Sequence, residues 1–266
     1  MKLKLFTLIA FSGLFLCANA QTDLIKKIQK ENVVKGVIIQ QGIETEGYIK
    51  KISENRSYEG KNYKAYDNFQ SEISFIPKDL FENTEKLKGN MYTKYKPYHI
   101  DGYKYIYENG DMLVYESVKY SDKSTISVRT IAQEKFLRLD SKGKLSIYTY
   151  YNAPPAVMSG SDYIRKRYEE AEEAQVTYRR ADSKESPKMI EFVSIEKELA
   201  DCPQVVEKYK RGDYGVGEKV KSKFLKTLNK VSNNDQVKYA ALMEYNSGIC
   251  DNNEESSPVV EEIVEE

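Results

Sequence analysis

Much of the first two thirds of the chain consists of strand-like runs that occur in pairs. A short turn containing glycine joins the two runs of each pair. The runs are rich in Val, Ile and Tyr, the residues that favour strands. The pairs are Val33–Gln41 with Ile43–Ile52, Gly102–Glu108 with Asp111–Tyr120, and Thr125–Leu139 with Lys144–Tyr151. Asn109-Gly110 joins the second pair and is a strong hairpin signal, because both residues tolerate a positive φ. The pattern predicts an antiparallel sheet built from tandem hairpins.

Shorter segments between and around these pairs are less regular. Asp23–Asn32 is either a short helix or an irregular segment that leads into the first strand. Ser53–Phe69 is polar and irregular. Gln70–Ile76 alternates and predicts a strand that ends at Pro77. Asp162–Gln175 has a helical composition but is also compatible with a flexible insertion. The segments 176–180 and 189–193 are candidates for a further strand pair.

The last quarter of the chain favours helices. Asp201-Cys202-Pro203 is typical of a helix start, because proline is tolerated in the first turn. Lys219–Val231 carries an apolar stripe at helical spacing, and Asp235 is positioned to cap a last helix. The predicted fold class is therefore α+β, an antiparallel β-rich domain over 21–193 followed by a helical segment over 194–250. The acidic residues 251–266 are predicted to be a disordered tail.

Met1–Ala20 has the composition of an export signal. Two lysines precede an apolar run of about a dozen residues, and Ala18-Asn19-Ala20 is a suitable cleavage site. We expect removal of residues 1–20 and a periplasmic, secreted or cell-surface location. No later run is long and apolar enough to predict a membrane span.

Two cysteines, Cys202 and Cys250, remain after this cleavage. An even number in an oxidising compartment predicts a disulfide. The alternative is a catalytic thiol. It would need a nearby base, and the only histidine, His99, is distant in sequence.

The residue types present disfavour several chemistries. Equal numbers of basic and acidic residues, 41 each, give no field that would attract nucleic acid. One histidine cannot supply a typical zinc site with two paired cysteines, so neither metal nor cofactor is expected. The run from Gly212 to Lys219 resembles a phosphate loop, but Glu218 stands where the lysine is required. Hydrolysis by paired carboxylates, or by serine and lysine, stays open.

Tyrosine is the one residue in clear excess, with 22 in the chain and no tryptophan. Tyr103, Tyr105 and Tyr107 alternate, so they share one face of their strand. Such a row either covers a half-buried sheet face or forms a rigid surface that binds a partner. The partner-binding surface is the sharper hypothesis.

Several short motifs give the chain a resemblance to a group of uncharacterised secreted proteins of the Bacteroidota. The motifs are the CANAQ signal end, Gly47-Tyr48-Ile49, Tyr95-Lys96-Pro97 with Asp101-Gly102-Tyr103, Asp201-Cys202-Pro203, and Tyr245-Asn246-Ser247-Gly248-Ile249-Cys250. The resemblance implies that the two cysteines bracket a helical segment, which supports their disulfide. It implies no activity and no catalytic residue, and the charged segment 165–175 departs from the group's pattern.

These features favour an exported envelope protein that binds or scaffolds an envelope protein partner without catalysis. A hydrolase that acts on envelope or extracellular polymers is the alternative. A small-ligand carrier is the third possibility. Converging acids in a cleft would favour the hydrolase, and a closed apolar cavity would favour the carrier.

Overall fold

The computed structural model describes residues 21–120, 133–154, 161–215 and 233–251. Within these ranges the protein is α+β, as predicted, with a large antiparallel sheet and helices. The predicted signal peptide over 1–20 and the predicted helix Lys219–Val231 lie outside the described residues. So do residues 252–266 of the predicted tail.

The described residues form twelve strands and six α-helices. The strands are β1 (Val33–Gln40), β2 (Ile43–Lys50), β3 (Asn55–Tyr58), β4 (Lys61–Lys64), β5 (Ile73–Pro77), β6 (Thr93–Tyr95), β7 (Gly102–Ile106), β8 (Met112–Tyr120), β9 (Gln133–Lys142), β10 (Leu145–Tyr151), β11 (Ala174–Arg180) and β12 (Lys188–Met189). The α-helices are α1 (residues 21–31), α2 (Lys78–Asn83), α3 (Ser161–Ala171), α4 (Ile195–Glu198), α5 (Pro203–Arg211) and α6 (Asn233–Asn246). Short 3-10 helices are Tyr66–Gln70, Gly89–Met91, Pro97–His99 and Ile190–Phe192.

Ten of these strands form one sheet in the order β12-β11-β10-β9-β8-β7-β1-β2-β5-β6, and every neighbouring pair is antiparallel. The sheet consists of two meanders that run outward from its centre. They meet where β1 pairs with β7, in a seam that extends from Lys35 opposite Ile106 to Ile39 opposite Gly102. Sequence patterns predict the hairpins but carry no signal for this seam, which joins distant parts of the chain.

The tight turns differ from expectation in one respect. Gln41 and Gly42 have φ of 52° and 75°, so the β1–β2 turn is the two-residue type with both central residues left-handed. At Asn109-Gly110 only the glycine has a positive φ, 85°. Tyr107 accepts a bond from the Gly110 N–H and donates its own N–H to Asp111, so this hairpin has a longer loop with a bulged glycine.

Three further predictions need correction. Ser53–Phe69 is not irregular throughout, because β3 and β4 form a separate hairpin joined by Glu59-Gly60, both left-handed. The strand predicted from Gln70 begins at Ile73, and Gln70 ends a 3-10 helix. Asp235 lies in the first turn of α6, which already includes Asn233, so Asp235 is not the residue that caps the helix.

The two faces of the sheet are covered by different elements. Residues that pair directly point to the same side. We define the front face by Tyr103, Tyr115 and Arg138, which are consecutive partners across β7, β8 and β9. On this face Phe69, from the 3-10 helix before β5, packs on Tyr103 and Tyr105. The later helices pack on the same face of β10 and β11, against residues such as Ile147.

The opposite, back face is covered near β1, β2 and β5 by the first two helices. Tyr48 and Phe81 stack there with ring centroids 4.0 Å apart, and Ile28 of α1 packs beside them. None of the helices in the part of the chain seen here combines the length and apolar content that crossing a membrane requires.

Cys202 and Cys250 form a disulfide, as predicted, with Cα atoms 5.6 Å apart. It joins the residue before α5 to the turn after α6, so it closes the C-terminal helical region. Pro203 occupies the first turn of α5, also as predicted.

Candidate binding sites on the sheet

The predicted tyrosine row is mostly inside the protein. Tyr103 is fully buried and Tyr105 is 2% exposed, because Phe69 and neighbouring rings cover the front face. The Tyr103 hydroxyl donates to the Phe69 carbonyl, and its ring stacks on Tyr115 at 4.8 Å. Burial raises the pKa of Tyr103 well above its usual range. The expectation of an exposed aromatic row is therefore corrected, because Tyr103 and Tyr105 are core residues.

Tyr107, the third member of the row, lies beyond the end of β7 and is only half-buried. Its hydroxyl donates to Glu54 Oε1 at 2.8 Å. Burial, followed by this carboxylate, raises the pKa of Tyr107. Beside it, the Tyr105 hydroxyl accepts the Ile52 N–H at 3.3 Å. Both tyrosines thereby fix the chain segment that follows β2.

An open groove of about 650 Å³ runs between this segment and the β7–β8 hairpin, and we call it the Tyr107 groove. Tyr105, Tyr107, Val34 and Ile52 are among its lining residues. At its rim Lys51 Nζ pairs with Glu108 Oε1 at 2.7 Å, and both side chains are largely exposed. The groove therefore combines an aromatic wall with charges of both signs.

A second opening of about 570 Å³ lies near the β1–β2 turn and the 3-10 helix before β7, and we call it the Arg179 cleft. Its charged lining residues are Asp101, Glu116, Glu134, Lys142 and Arg179, with His99 beside them. The exposed ring of Tyr98 also lines it.

Glu116 is the acceptor at the centre of this second cleft. Its Oε1 accepts from Lys142 Nζ at 2.6 Å, and its Oε2 accepts from the Tyr148 hydroxyl at 2.7 Å. Burial and the Glu116 charge raise the pKa of Tyr148 to about 12, so this hydroxyl stays protonated as a donor. An Arg179 terminal nitrogen is 4.0 Å from Glu116 Oε2, which is too far for a hydrogen bond.

Arg179 is the least satisfied polar side chain of the cleft. Its Nε is buried and has no hydrogen-bond partner among the described residues. An unpaired buried donor costs about 1–3 kcal/mol, so it needs an explanation. Sequence patterns do not reveal this donor, because one arginine in a β-strand is indistinguishable from an ordinary solvated side chain.

His99 and the cysteines do not combine into a nucleophilic site. His99 Nδ1 accepts the Lys96 N–H at 3.1 Å, which caps its own short helix. Cys202 and Cys250 are bonded to each other, which removes the catalytic-thiol alternative. Over the ranges covered by the structure, no three His, Cys, Asp or Glu side chains converge as metal ligands.

A smaller pocket of about 420 Å³ on the back face bears on the carrier alternative. Leu24, Val37, Tyr48 and Ile106 line it, together with Lys35 and other charged side chains. It combines apolar surface with charges of both signs, so it differs from the closed apolar cavity that would favour a small-ligand carrier.

The front face also contains a buried charge cluster that the sequence pattern did not identify. Arg138 Nε donates to Asp140 Oδ1 at 3.1 Å, and Thr149 Oγ1 lies 3.1 Å from Arg138 and 2.5 Å from Asp140 Oδ2. Burial, partly opposed by Arg138, raises the pKa of Asp140 to about 6. Because the Asp140 side chain is fully buried, this acid lies outside the clefts and serves the core. The available signal was Arg138-Leu139-Asp140 itself, two charges on the same side of a strand.

These features define an α+β protein with a wide antiparallel sheet and open, mixed-charge clefts. Comparisons with protein-family models, curated proteins and solved structures found no match.

Proposed function

We propose that this protein is an exported envelope component that binds a segment of another envelope protein in the Tyr107 groove and has no catalytic activity. The observation that carries the proposal is the position of Tyr107. Its ring is half-buried on the wall of an open groove and is held by the Glu54 bond. A preorganised tyrosine offers a large contact area at a low entropic cost, which is why tyrosine is enriched at protein interfaces.

The rim of the groove supports a protein segment as the ligand. Lys51 and Glu108 present one cation and one anion within 2.7 Å of each other. A polypeptide with mixed charges complements such a rim, whereas a polyanion would be repelled by Glu54 and Glu108. The Cys202–Cys250 disulfide supports an oxidising compartment outside the cytoplasm.

The hydrolase alternative draws less support from the clefts. In the Arg179 cleft Glu116 accepts bonds from Lys142 and Tyr148, and Asp101 accepts the Gly42 N–H. These carboxylates are thus already engaged as hydrogen-bond acceptors within the fold. Asp140, with its raised pKa, is enclosed in the core.

The test is crosslinking capture of the mature protein from its own envelope, with partners identified by mass spectrometry. Tyr107→Ala removes the aromatic wall, and Lys51→Glu reverses a rim charge away from the core. We expect each variant to lose at least about tenfold of one specific partner, the scale of an interface hot spot. Tyr98→Ala, which removes an exposed tyrosine from the other cleft, is the matched control and should retain that partner.

Thermal unfolding of each variant separates loss of binding from loss of fold. A partner captured equally by the wild type, Tyr107→Ala and Lys51→Glu would rule out the groove as its site. Capture of no specific protein would refute the proposed binding function.

A further inference from the structure

We propose that the Arg179 cleft binds a small ligand through a single carboxylate group, which pairs with the guanidinium of Arg179. This is a second site, independent of the Tyr107 groove, and the proposed function does not use it. The inference rests on an unpaired buried donor of Arg179, on the fixed position of its side chain and on the residues that line the opening.

Arg179 supplies the hydrogen-bond donors of the proposed site. A guanidinium has five N–H groups in a planar fork. In the part of the chain that the structure describes, the Arg179 Nε is buried without a hydrogen-bond partner, and a terminal nitrogen lies 4.0 Å from Glu116 Oε2. Buried donors without a partner in a native fold indicate a water, ion or ligand that satisfies them. A carboxylate matches the fork with two parallel bonds.

Arg179 is also held in place. It lies on β11 opposite Ser146 of β10, within the hydrogen-bonded sheet. Its guanidinium lies over the Tyr148 ring, 5.7 Å from the centroid. Only about a quarter of the side chain is exposed. Little conformational freedom is therefore lost when a ligand binds.

Lys142 and Arg179 are the cations among the described lining residues, and Lys142 is the one that is hydrogen-bonded to an acid. The Glu116 carboxylate already receives bonds from Lys142 and from the Tyr148 hydroxyl. Three acids and two bases line the cleft in the described residues, so its lining has no net positive charge, and a carboxylate would be drawn by the unpaired donor of the Arg179 fork.

The remaining lining limits the kind of ligand. Asp101 and Glu134 belong to the same cleft and repel a ligand with several negative charges. The ring of Tyr98, 62% exposed, offers an apolar surface for the uncharged part of the ligand. The ligand class is thus a monocarboxylate with a neutral or cationic remainder, from either a sugar acid or a peptide C-terminus.

The experiment is titration of the mature protein, by calorimetry and by saturation-transfer NMR, with two carboxylate probes. D-glucuronate represents the sugar acid and N-acetyl-alanyl-alanine the peptide C-terminus. Glucose and the corresponding peptide amide are the neutral controls, and inorganic phosphate is the polyanion control. We expect at least one carboxylate probe to bind at millimolar concentration or better, and its neutral control to bind at least tenfold more weakly.

Substitutions test whether Arg179 is the residue that binds the carboxylate. Arg179→Gln should weaken carboxylate binding at least tenfold, whereas Arg211→Gln, a surface arginine paired with Asp213, should leave it unchanged. Glu116→Gln removes the neighbouring negative charge and should strengthen binding, an effect that a misfolded protein would not give. Binding of one probe alone identifies the source of the carboxylate. Equal binding to wild type and a folded Arg179→Gln, no preference over the neutral controls, or tighter binding of phosphate would overturn the proposal.

Discussion

The side-chain amide of Gln70 pairs with both backbone polar groups of Tyr151. Its Nε2 donates to the Tyr151 carbonyl and its Oε1 accepts the Tyr151 N–H, each at 2.6 Å. Asn246 binds Leu145 in the same way, accepting its N–H at 2.9 Å and donating to its carbonyl at 2.8 Å. At each end of strand β10, a side-chain carboxamide thus makes the pair of hydrogen bonds that a neighbouring strand would otherwise make.

Gln70→Ala should lower the free energy of unfolding by about 2–4 kcal/mol, because it leaves a buried N–H and a buried C=O without partners. Urea unfolding measures the change. Gln29→Ala, at an exposed position of α1, is the matched control and should stay within about 0.5 kcal/mol of wild type. Equal stability of Gln70→Ala and wild type would show that the amide pairing contributes nothing.

Asp140 should contribute more to the stability of the folded protein at acidic pH than at neutral pH. Its folded pKa, about 6, lies above its ordinary value of 3.8. An acid with a raised folded pKa contributes stability below its unfolded pKa and loses that contribution as pH rises through the folded value. The unfolding free energy of wild type, relative to that of Asp140→Asn, should therefore fall as the pH rises from about 4 to about 6. The fall should be at most about 3 kcal/mol. Urea unfolding across this range tests the sign, and a difference independent of pH would contradict it.

The disulfide should stabilise the C-terminal region substantially. It closes a span of 48 residues, for which loop-closure entropy predicts a loss of up to about 4 kcal/mol on reduction. Unfolding with and without dithiothreitol measures this loss. The Cys202→Ser, Cys250→Ser double variant should have the same unfolding free energy as the reduced protein. Dithiothreitol should not change that value. A reductant effect in that variant would mean that the effect has another origin.

Gly47 should tolerate no side chain. It pairs with Gly36, and a Cβ added to Gly47 would overlap the Ile76 carbonyl and the Phe75 ring. Gly47→Ala should cost about 2–4 kcal/mol by overpacking, measured by thermal or urea unfolding. Gly89→Ala is the control, because nothing lies within 4 Å of its added Cβ and its φ is not left-handed. Similar stabilities for the two variants would refute the steric argument.

Replacement of Gln41 by asparagine should stabilise the β1–β2 hairpin. Gln41 has a φ of 52°, which costs a residue with a long side chain more than it costs asparagine. The expected gain in unfolding free energy is up to about 1 kcal/mol. Glu185→Asn, at an exposed bend without a positive φ, is the control and should give no gain.

Local signals were enough to predict most of the hairpins, the start of α5 and the disulfide, because each depends on neighbouring residues or on a simple count. The burial of Tyr103 was not predictable in this way. Alternation shows that Tyr103 and Tyr105 share a face, but whether Phe69 covers that face is decided by a distant segment. The same holds for Arg179, whose unpaired Nε appears only after β8, β10 and β11 are brought together. The hairpin of β3 and β4 was missed because its strands are short and polar, although Glu59-Gly60 is a turn signal.

The seam between β1 and β7 makes the two meanders halves of one sheet. A cut in the connection near Lys96, between β6 and β7, would leave β1 and β7 each with a bare, complementary edge. Each half alone would expose the hydrogen-bonding groups that lead to edge-to-edge aggregation. Mixed together, the halves have a five-residue register, from Lys35 with Ile106 to Ile39 with Gly102, along which to rejoin. The fold is thus suited to fragment complementation, in which two separate pieces recover the parent structure through this strand pair and through the contacts of Phe69 and Gln70 with the other half.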